Sequence, residues 1–441
     1  MTSTDEFAAP AAWPTAARLV ARWLDRRERI DALLDTLPRN FPPTERARCQ
    51  HLVLGVVRHF GRIEAALGRL VAHPPRFATR AVLFVAGYEL LESANAKGEA
   101  REGHGAKVVH HAVEQTKALA SPAEARLVNA VGRKLIEALA VPVPPADAGA
   151  AVLAEYFSHP EWLVRSWLTQ FGAKATRELL EWNQQPAPVY ARWRPLVAKD
   201  GASPVIPDFL KPTRWPEMFE VESGHWAKVE PLLRSGQIYL QDPSTRLPIE
   251  LLAPQAGEKV LDLCAAPGGK SLMIADAMKA GQLVAVDLPT ARIERLKENL
   301  SRVTTVNVAL VQADLLGEIG SVLQEHELPP VYDAVLLDAP CSNTGVMRHR
   351  VDVKWRLQAG DFKKHPRQQL SLLHAAARLV GPRGRLVYST CSIDTEENEH
   401  VVREFFLSRA GGAFTREKSV ISLPWETGHD GGAAFLLRRK A

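Results

Sequence analysis

Two cysteines stand directly after apolar runs that have the length of β-strands. Cys341 comes shortly after the run 331–337, and Cys391 comes shortly after the run 385–389. In open α/β sheets, ligands bind outside the carboxyl ends of the strands, so residues that follow parallel strands share one edge. We therefore predict that both thiols lie at the same edge of a sheet and face one cleft.

Two thiols in one cleft favour nucleophilic chemistry on a pyrimidine ring. C5 of cytosine is a poor nucleophile, but addition of a thiolate to C6 makes C5 electron-rich enough to accept a methyl group. A base must then remove the C5 proton before the enzyme can leave, and a second thiol can assist this release. Because a free thiol with a pKa of about 8.5 is mostly protonated at neutral pH, the site must favour the thiolate. Asp338, just before Cys341, is placed to hold the polar edge of the base.

A turn of small residues is the predicted ligand-binding element of the chain. Residues 260–270 read V-L-D-L-C-A-A-P-G-G-K, which predicts a strand, a turn and the start of a helix. A phosphate-binding P-loop requires G-x-x-x-x-G-K-S/T, and Cys264 occupies the position of its first glycine. The dinucleotide fingerprint G-x-G-x-x-G is also absent. The turn therefore favours a nucleoside ligand without phosphates, such as S-adenosylmethionine.

Acidic residues after the next two strands support such a ligand. Asp287 ends the run 283–286, about twenty residues after the glycines, where a carboxylate can accept hydrogen bonds from ribose hydroxyls. Asp314 follows the run 308–312 and can meet an adenine edge. Either acid alone is equally well explained as a solvated or capping residue, but their order after the turn favours cofactor binding.

The composition is that of a soluble protein with more than one domain. The chain has 441 residues, of which 46% are hydrophobic and 24% charged, and this length predicts two or three domains. No apolar run reaches membrane-spanning length, and the N-terminus has no signal-peptide pattern, so we predict a cytoplasmic protein that binds no membrane. A net charge of +5 permits an anionic partner without requiring one.

Neither a disulfide framework nor a metal site is predicted. The four cysteines are scattered without a C-x-x-C pair, and the histidines form no H-E-x-x-H motif. For Cys49 and Cys264 we expect a packing role, because a lone cysteine is most often a small buried hydrophobic residue.

Periodicity divides the chain into regions of different secondary structure. Residues 1–140 show the apolar spacing of helices throughout, with arginine-rich polar faces that are more typical of solvated surfaces than of nucleic-acid contacts. Residues 141–150 form a proline-rich linker, and 151–240 mix helical and short strand patterns. Residues 241–441 alternate strand and helix, which predicts a parallel sheet with helices on both faces.

The motifs of the C-terminal half resemble those of the RNA cytosine-C5 methyltransferases of the Sun/Fmu (NOL/NOP) family. The resemblance covers the segments 262–270, 338–341, 389–392 with the following Glu396-Glu-Asn398, 241–245 and 430–435. In the N-terminal half, the segments 52–58, 112–114 and 127–131 resemble the NusB-like RNA-binding fold, which is fused to the methyltransferase in the RsmB type.

The resemblance implies a multidomain protein. Its expected parts are an all-α NusB-like RNA-binding domain at 1–140, a small α+β RNA-binding module at 151–240, and an α/β Rossmann-like, S-adenosylmethionine-dependent methyltransferase domain at 241–441. By position, the family's nucleophile falls on Cys391 and its release cysteine on Cys341, whereas DNA cytosine methyltransferases use the Pro-Cys cysteine as nucleophile. The implied cofactor contacts are Cys264, Ala265, Ala266, Pro267, Gly268, Gly269, Lys270, Asp287, Asp314 and Asp338.

The implied substrate is cytosine in structured RNA, and for the RsmB type it is small-subunit ribosomal RNA. The same chemistry on transfer RNA and a non-catalytic, RNA-binding role in ribosome assembly remain alternatives. We expect RNA as the partner, no DNA, and a monomer.

A basic segment after Cys341 gives RNA binding an independent rationale. Its members are Arg348, His349, Arg350, Lys354 and Arg356, with Trp355 among them. Such residues can contact phosphates and stack on a base displaced from its helix, although a solvated basic loop is the alternative. Two positions near presumed RNA contacts depart from the family pattern, because Val351 replaces the usual proline and Arg194 the usual asparagine.

Overall fold

The computed structural model describes residues 11–38, 40–95, 103–194 and 205–441, which form two units. The first unit contains the chain up to Gln185 together with Met347–Leu357. The second contains Pro186–Val346 and Gln358–Ala441. Within the described ranges, no helix combines the length and the apolar character needed to cross a bilayer.

The first unit is helical. Its helices are α1 (Ala12–Arg26), α2 (Ile30–Asp35), α3 (Pro43–Arg58), α4 (Phe60–Leu70), α5 (Phe77–Asn95), α6 (His104–Leu119), α7 (Pro122–Leu139), α8 (Ala150–Tyr156), α9 (Glu161–Gln184) and, from the later segment, α15 (Val353–Arg356). Helix α5 is central, because residues 81–86 are all buried and α1, α3, α6 and α7 pack around it. The prediction of an all-helical N-terminal bundle is confirmed.

The start of α7 shows how local sequence fixes these helices. Ser121 Oγ accepts a hydrogen bond from the backbone N–H of Glu124 at 3.3 Å, and Pro122 occupies the first helical position. The Glu124 carboxylate also accepts from Thr79 Oγ1 at 2.7 Å and pairs with Arg76. The bond from Arg76 is the main reason that the pKa of Glu124 falls to about 2. Glu124, in the first turn of α7, therefore also links α7 to the start of α5.

The arginines of this unit mainly form ion pairs and hydrogen bonds with other residues of the same unit. Four of them pair with glutamates, namely Arg48 with Glu89, Arg69 with Glu155, Arg76 with Glu124 and Arg80 with Glu64. Arg62 donates to the carbonyl of Leu139 at 2.9 Å, and the buried Arg58 donates to the carbonyl of Arg348 at 3.3 Å. Most of the arginine charge noted in the sequence is thus engaged within the unit.

The segment Met347–Leu357 completes the end of α3. Lys354 Nζ donates to the carbonyl of Arg58 at 2.9 Å, and Trp355 Nε1 donates to the carbonyl of Val57 at 2.8 Å. These are among the last carbonyls of α3, which have no partner inside the helix. The Trp355 ring also meets Phe60 edge to face, with centroids 5.1 Å apart. The segment is therefore an internal part of the helical unit.

The prediction that Lys354 and Trp355 grip RNA is wrong. Lys354 is 1% exposed, and the indole N–H of Trp355 is already used by the backbone. The guanidinium carbon of Arg348 lies 4.2 Å from the centroid of the Trp182 ring, whereas His349 and Arg350 are exposed. The sequence alone does not show which of these basic residues are buried and which are exposed, because a charged residue is buried only where the fold supplies a partner.

The buried Lys354 generates a pH-dependent stability. Burial lowers its pKa well below the ordinary value, and the nearby Arg58 charge adds to this effect. Unfolding restores a pKa of about 10.4, so between the two values the unfolded chain binds more protons and stability rises with pH. We expect the free energy of unfolding of the wild type to increase relative to Lys354→Met between about pH 7.5 and pH 9.5, measured by urea denaturation.

The control is Lys174→Met, because the Lys174 side chain is 90% exposed in α9 of the same unit. The difference between wild type and this control should not change over the same pH interval. An equally flat difference for Lys354→Met would contradict a buried amine with a depressed pKa.

The second unit contains a small antiparallel sheet. Its strands are β1 (Tyr190–Trp193), β2 (Leu210–Pro212), β3 (Met218–Val221) and β4 (Ile238–Leu240), in the order β2-β3-β1-β4, with α10 (Trp226–Ser235) beside them. The helices α8 and α9 of the expected 151–240 module lie in the first unit, and these strands lie in the second. The boundaries 1–140, 141–150, 151–240 and 241–441 stay predictions.

A seven-stranded sheet forms the centre of the second unit. Its strands are β5 (Lys259–Leu263), β6 (Gln282–Asp287), β7 (Asn307–Gln312), β8 (Tyr332–Asp338), β9 (Val380–Thr390), β10 (Phe414–Ser422) and β11 (Gly432–Arg439), in the order β10-β11-β9-β8-β5-β6-β7. Its helices are α11 (Arg246–Leu252), α12 (Gly269–Met278), α13 (Ile293–Leu300), α14 (Ile319–Glu325), α16 (Asp361–Arg378), α17 (Glu399–Phe406) and α18 (Pro424–Thr427). The predicted Rossmann-like α/β fold is confirmed.

Strand β5 shows why the central strands are apolar on both sides. Leu261 and Leu263 pack in one core with Leu372 of α16, whereas Val260 packs in a second core with Ile274 of α12. A strand covered by helices on both faces reads as a continuous hydrophobic run. Strands β5 to β9 are parallel, as the alternating pattern predicts.

The prediction of a purely parallel sheet is wrong at one edge. Strand β11 runs antiparallel to both β9 and β10. A parallel crossover needs roughly a dozen residues or more. The connection 423–431 between β10 and β11 holds only the four-residue α18, so the chain turns back as a hairpin.

Two arginines of the small sheet are buried around one carboxylate of α12. Arg192 Nη1 lies 2.9 Å from Asp276 Oδ2, and Arg194 Nη2 lies 2.8 Å from Asp276 Oδ1. Arg192 and Arg194 are 2% and 1% exposed. The expectation that this segment lies near RNA contacts is wrong for these two side chains, which instead fasten the small sheet to α12.

Removing the shared carboxylate should be costly. Asp276→Ala leaves two buried guanidinium groups without their counter-charge, and we expect the free energy of unfolding to fall by about 3–5 kcal/mol. Urea denaturation followed by tryptophan fluorescence measures this change. The matched control is Glu250→Ala, which removes the carboxylate of the exposed Arg246–Glu250 pair and should cost less than about 1 kcal/mol. Equal costs for the two variants would contradict a buried three-residue cluster.

Candidate active site

The turn after β5 is held by backbone geometry and by two side chains. Cys264 and Gly268 have positive φ values of 59° and 105°. Asp287 Oδ2 accepts a hydrogen bond from the Ala266 N–H at 2.8 Å, and Asn299 Nδ2 donates to the carbonyl of Pro267 at 2.8 Å. The turn therefore has one defined shape at the carboxyl edge of the sheet.

Gly268 and Gly269 of the turn allow two protein side chains, those of Leu296 and Tyr239, to pack closely against the backbone. A Cβ at Gly268 would lie 2.9 Å from Leu296 Cδ1, and a Cβ at Gly269 would lie 2.8 Å from Tyr239 Cε1. At these two positions the close approach that glycine permits is used by the protein itself. No local pattern indicates this role for Tyr239 and Leu296, because both lie far from the turn along the chain.

The acids after the next strands lie along the same edge. Strands β6 and β7 pair in register, with Asp287 opposite Gln312, and the exposed Asp314 follows two residues later. Asp287 Oδ1 accepts from the Leu288 N–H at 2.7 Å, and Asp314 Oδ1 accepts from the Leu316 N–H at 2.9 Å. Both carboxylates thus shape their own turns, a role that the sequence left open beside ligand binding.

A buried acid lies beneath the turn. Asp262 is fully buried on β5, and its Oδ2 accepts a hydrogen bond from Ser271 Oγ. Among the residues that the structure describes, its Oδ1 has no hydrogen-bond partner. Burial raises the pKa of Asp262 to about 7. Asp287 and Asp314, after β6 and β7, make a polar, acidic edge that suits the amine and hydroxyl groups of a nucleoside, and the buried Asp262 holds Ser271 at the start of α12.

The two predicted thiols meet. Cys341 Sγ and Cys391 Sγ lie 3.1 Å apart as free cysteines, although 50 residues separate them in the chain. Asn343, at a φ of 63°, donates from Nδ2 to the carbonyl of Cys341 at 2.8 Å, and its Oδ1 accepts from Cys391 Sγ at 3.3 Å. The hydrogen bond to Cys391 and burial raise the pKa of Cys341 well above the ordinary value, with further contributions from the charges of Cys391 and Glu397.

The third predicted catalytic residue, Asp338, is part of a chain of polar contacts. Lys270 Nζ lies 2.7 Å from Asp338 Oδ2, and Ser389 Oγ donates to Asp338 Oδ1 at 2.9 Å. Burial lowers the pKa of Lys270, but the charge and hydrogen bond of Asp338 outweigh burial and raise it above the ordinary value. The Lys270–Asp338 pair was not foreseen, because the sequence offered each residue separately.

A hydroxyl network behind the thiols was missed by sequence reasoning. Ser392 Oγ lies 3.2 Å from Ser342 Oγ and 3.1 Å from Thr344 Oγ1, and all three residues are buried. Both Thr344 and Ser392 donate to the buried carboxylate of Asp394. The only signal in the sequence was a set of small hydroxyl residues, which follow Cys341 and lie on both sides of Cys391. This buried network joins the loop that carries Cys341 to the loop that carries Cys391.

Comparison with known proteins gives the family of the chain. Residues 249–421 match the description "16S rRNA methyltransferase RsmB/F", and residues 11–137 match the NusB family. Proteins named ribosomal RNA small subunit methyltransferase B are similar along almost their whole length. The relative from Sodalis glossinidius is 31% identical over 88% of both chains, and that from Citrobacter koseri is 30% identical over 88% of this chain and 89% of its own.

The chain belongs to this methyltransferase family. The resemblance stated from the motifs is confirmed, as is S-adenosylmethionine as the methyl donor. The crystal structure of PH0851 has the same fold, with a TM-score of 0.73 and 22% identity over 98% of this chain and all of that chain. A methyltransferase homologue from Pyrococcus horikoshii has a TM-score of 0.54 and 23% identity over 67% of this chain and all of that chain.

In this family member, one glycine decides how closely the two loops approach. A Cβ at Gly345 would lie 2.3 Å from the carbonyl oxygen of Gly431 and 2.9 Å from that of Cys391. Those neighbours are backbone atoms and cannot turn away. The Gly345 N–H also donates to the Cys391 carbonyl at 3.0 Å, so the glycine clamps the loop of Cys391 directly.

We therefore expect Gly345→Ala to separate the two thiols. Because the added methyl group must displace backbone, the free energy of unfolding should fall by about 1–3 kcal/mol and methyl transfer should be lost at least ten-fold. Thermal denaturation and incorporation of labelled methyl groups into RNA measure the two effects. Gly360→Ala is the control, since a Cβ there meets nothing within 4 Å. Unchanged activity of Gly345→Ala would contradict the close fit of these loops.

Proposed function

We propose that this protein methylates C5 of a cytosine in small-subunit ribosomal RNA through a covalent adduct with Cys391. The observation that supports the proposal most directly is the 3.1 Å separation of Cys391 Sγ and Cys341 Sγ beside the Lys270–Asp338 pair. Two thiols at this distance can act on adjacent atoms of one pyrimidine ring. The relatives from Sodalis glossinidius and Citrobacter koseri carry the name of a small-subunit ribosomal RNA methyltransferase, which supports the choice of RNA.

The reaction proceeds by addition and elimination. The Cys391 thiolate forms a bond to C6, and the electron pair of the C5–C6 double bond becomes available at C5. When bound at the turn after β5, S-adenosylmethionine would supply an electrophilic methyl group to C5 and would leave as the neutral thioether S-adenosylhomocysteine. A base then removes the C5 proton, the double bond re-forms, and the bond between Cys391 and C6 breaks. Cys341, in contact with Cys391, assists this release.

Asp338 and Lys270 orient the base. The Asp338 carboxylate accepts hydrogen bonds from Ser389 and Lys270, which fix it at the end of β8. In this position it accepts a hydrogen bond from the exocyclic amine of cytosine, while the Lys270 ammonium balances its charge. The Asp338 carboxylate thus selects cytosine over uracil, which presents a carbonyl oxygen at the same position.

The turn after β5 and the acids beside it hold the methyl donor. We assign its contacts to residues 264–270, to Asp287 for the ribose, to Asp314 for the adenine edge and to Asp338 near the reacting methyl group. The relatives matched to the chain support an RNA partner. A monomer that binds no DNA and acts in the cytoplasm completes the proposal.

The roles of the two cysteines are tested with Cys341→Ala. We expect this variant, mixed with S-adenosylmethionine and unmodified small-subunit ribosomal RNA, to accumulate a protein–RNA adduct that survives a denaturing gel. Addition at C6 still occurs in this variant, but release is slowed at least ten-fold. Wild type should turn over without a stable adduct, and Cys391→Ala should form none and transfer no methyl group.

Cys49→Ala is the matched control for loss of a thiol, because Cys49 is buried in the core of the helical unit. It should methylate RNA and leave no adduct. If Cys391→Ala instead accumulates the adduct, the two roles are reversed. If wild type methylates transfer RNA and not ribosomal RNA, the proposed substrate is wrong and the chemistry stands.

A further inference from the structure

A buried glutamate joins the two cysteine loops. Glu397 is fully buried, and its Oε2 accepts hydrogen bonds from the Ser342 N–H at 2.9 Å and from Gln369 Nε2 at 2.8 Å. Gln369 Nε2 also donates to the carbonyl of Pro340 at 3.0 Å. The residues on both sides of Cys341 are therefore held by one carboxylate and one amide.

Glu397 also contacts the strand that leads to the other thiol. Its backbone carbonyl accepts a hydrogen bond from Tyr388 Oη at 2.6 Å, and Tyr388 is a fully buried residue of β9, three positions before Cys391. The same residue thus fixes the approach to both cysteines. Nothing in the roles assigned above uses it.

The Glu397 carboxyl group lies in a buried site with no cation against it in the described part of the chain. Among the residues that the structure describes, Glu397 has no ion pair, and its Oε1 is buried without a hydrogen-bond partner. A negative charge held in a buried site acts strongly on its neighbours, because little solvent screens it. The groups that face it are the Cys341 thiol and the Tyr388 hydroxyl, whose pKa values it helps to raise.

The opposite charge lies on the side of the other thiol. The negative charge of a Cys391 thiolate, added to that of Asp338, raises the pKa of Lys270. Two thiols 3.1 Å apart cannot both ionise readily, because the second negative charge would repel the first. The carboxyl group of Glu397 lies on the Cys341 side of the pair, and the Lys270 ammonium lies on the Cys391 side.

We propose that Glu397 is a positioning residue that holds the Cys341 loop and, through its negative charge, keeps Cys341 protonated so that Cys391 is the thiol that ionises. The inference deepens the proposed function, on which it rests for the roles of the two cysteines. The protonation of Cys341 itself is a property of the free protein and is measured without RNA or methyl donor.

The experiment follows alkylation of Cys341 by iodoacetamide as a function of pH. All variants carry Cys391→Ser, so that only Cys341 of the pair reacts, and mass spectrometry of its peptide separates it from Cys49 and Cys264. Only the thiolate reacts, so the pH at half-maximal rate reports the ionisation of Cys341. Removing a neighbouring negative charge should favour the thiolate. We expect Glu397→Gln to lower this midpoint and to increase the rate at pH 8 by about three- to ten-fold.

Two further variants separate charge from packing. Glu397→Asp keeps the charge and shortens the side chain, so it should keep the midpoint of the Glu397 parent even if the loop is loosened. Glu396→Gln removes a neighbouring, partly exposed carboxylate and should leave the midpoint unchanged. Circular dichroism and thermal denaturation establish that each variant is folded.

The proposal is overturned if Glu397→Gln leaves the midpoint of Cys341 alkylation unchanged, or if Glu397→Asp lowers the midpoint as much as Glu397→Gln does. Should Glu397→Gln fail to fold, Glu397→Asp decides alone, because a midpoint lowered with the charge retained overturns the proposal and an unchanged midpoint supports it. Failure of the proposed function would appear separately, as a lack of methyl transfer or of an RNA adduct by proteins whose Cys341 ionisation behaves as described.

Discussion

The parallel pairing of β8 with β9 is the constraint on which the active site depends. Its register places Asp338 opposite Ser389, and the hydrogen bond from the Ala339 N–H to the Ser389 carbonyl, 2.9 Å, extends the pairing past the end of β8. Cys341 and Cys391 follow within three residues of this last pair, so both thiols leave the sheet at the same edge. Because side chains alternate between the two faces of a strand, a slip of one residue would turn Ser389 away from Asp338 and separate the thiols.

Beyond the end of the pairing, hydrogen bonds replace the sheet. Buried hydroxyl groups lie between the two loops, with the carboxylate of Asp394 as their common acceptor, and Gly345 lets the backbones touch. A buried polar network of this kind is stable only when its members are satisfied, and it then fixes one arrangement of the chain. The network therefore keeps the two thiols 3.1 Å apart without a covalent bond between them. Two loops without such a network would not hold their cysteines at a fixed distance.

The sequence was most informative where chemistry coincides with local pattern. The turn after β5 and the strands before Cys341 and Cys391 are continuous apolar runs followed by small or polar residues, and such runs predict strand ends directly. Lys354, Trp355 and Arg194 were misjudged for the opposite reason. A charged or amphipathic residue predicts exposure unless its partner is known, and the partners here, the carbonyls at the end of α3 and Asp276, lie about 80 to 300 residues away. Glu397 belongs to the same class, since nothing in its local sequence separates it from Glu396.

The helical unit is discontinuous in sequence, because it includes a segment that follows the catalytic loop along the chain. Met347–Leu357 begins six residues after Cys341, yet Val351 packs in the core of the helical unit and Lys354 and Trp355 satisfy the last carbonyls of α3. The Val57 carbonyl also accepts from the His59 N–H, so withdrawal of this segment would leave the Arg58 carbonyl without its donor, at a cost of about 1–3 kcal/mol if the carbonyl stays buried. The stretch from Cys341 to Val346 is held within the sheet unit by the buried hydroxyl network, in which Ser342 and Thr344 contact Ser392. This network holds the loop of Cys341 in one arrangement, as expected for a thiol that must meet its neighbour at one distance.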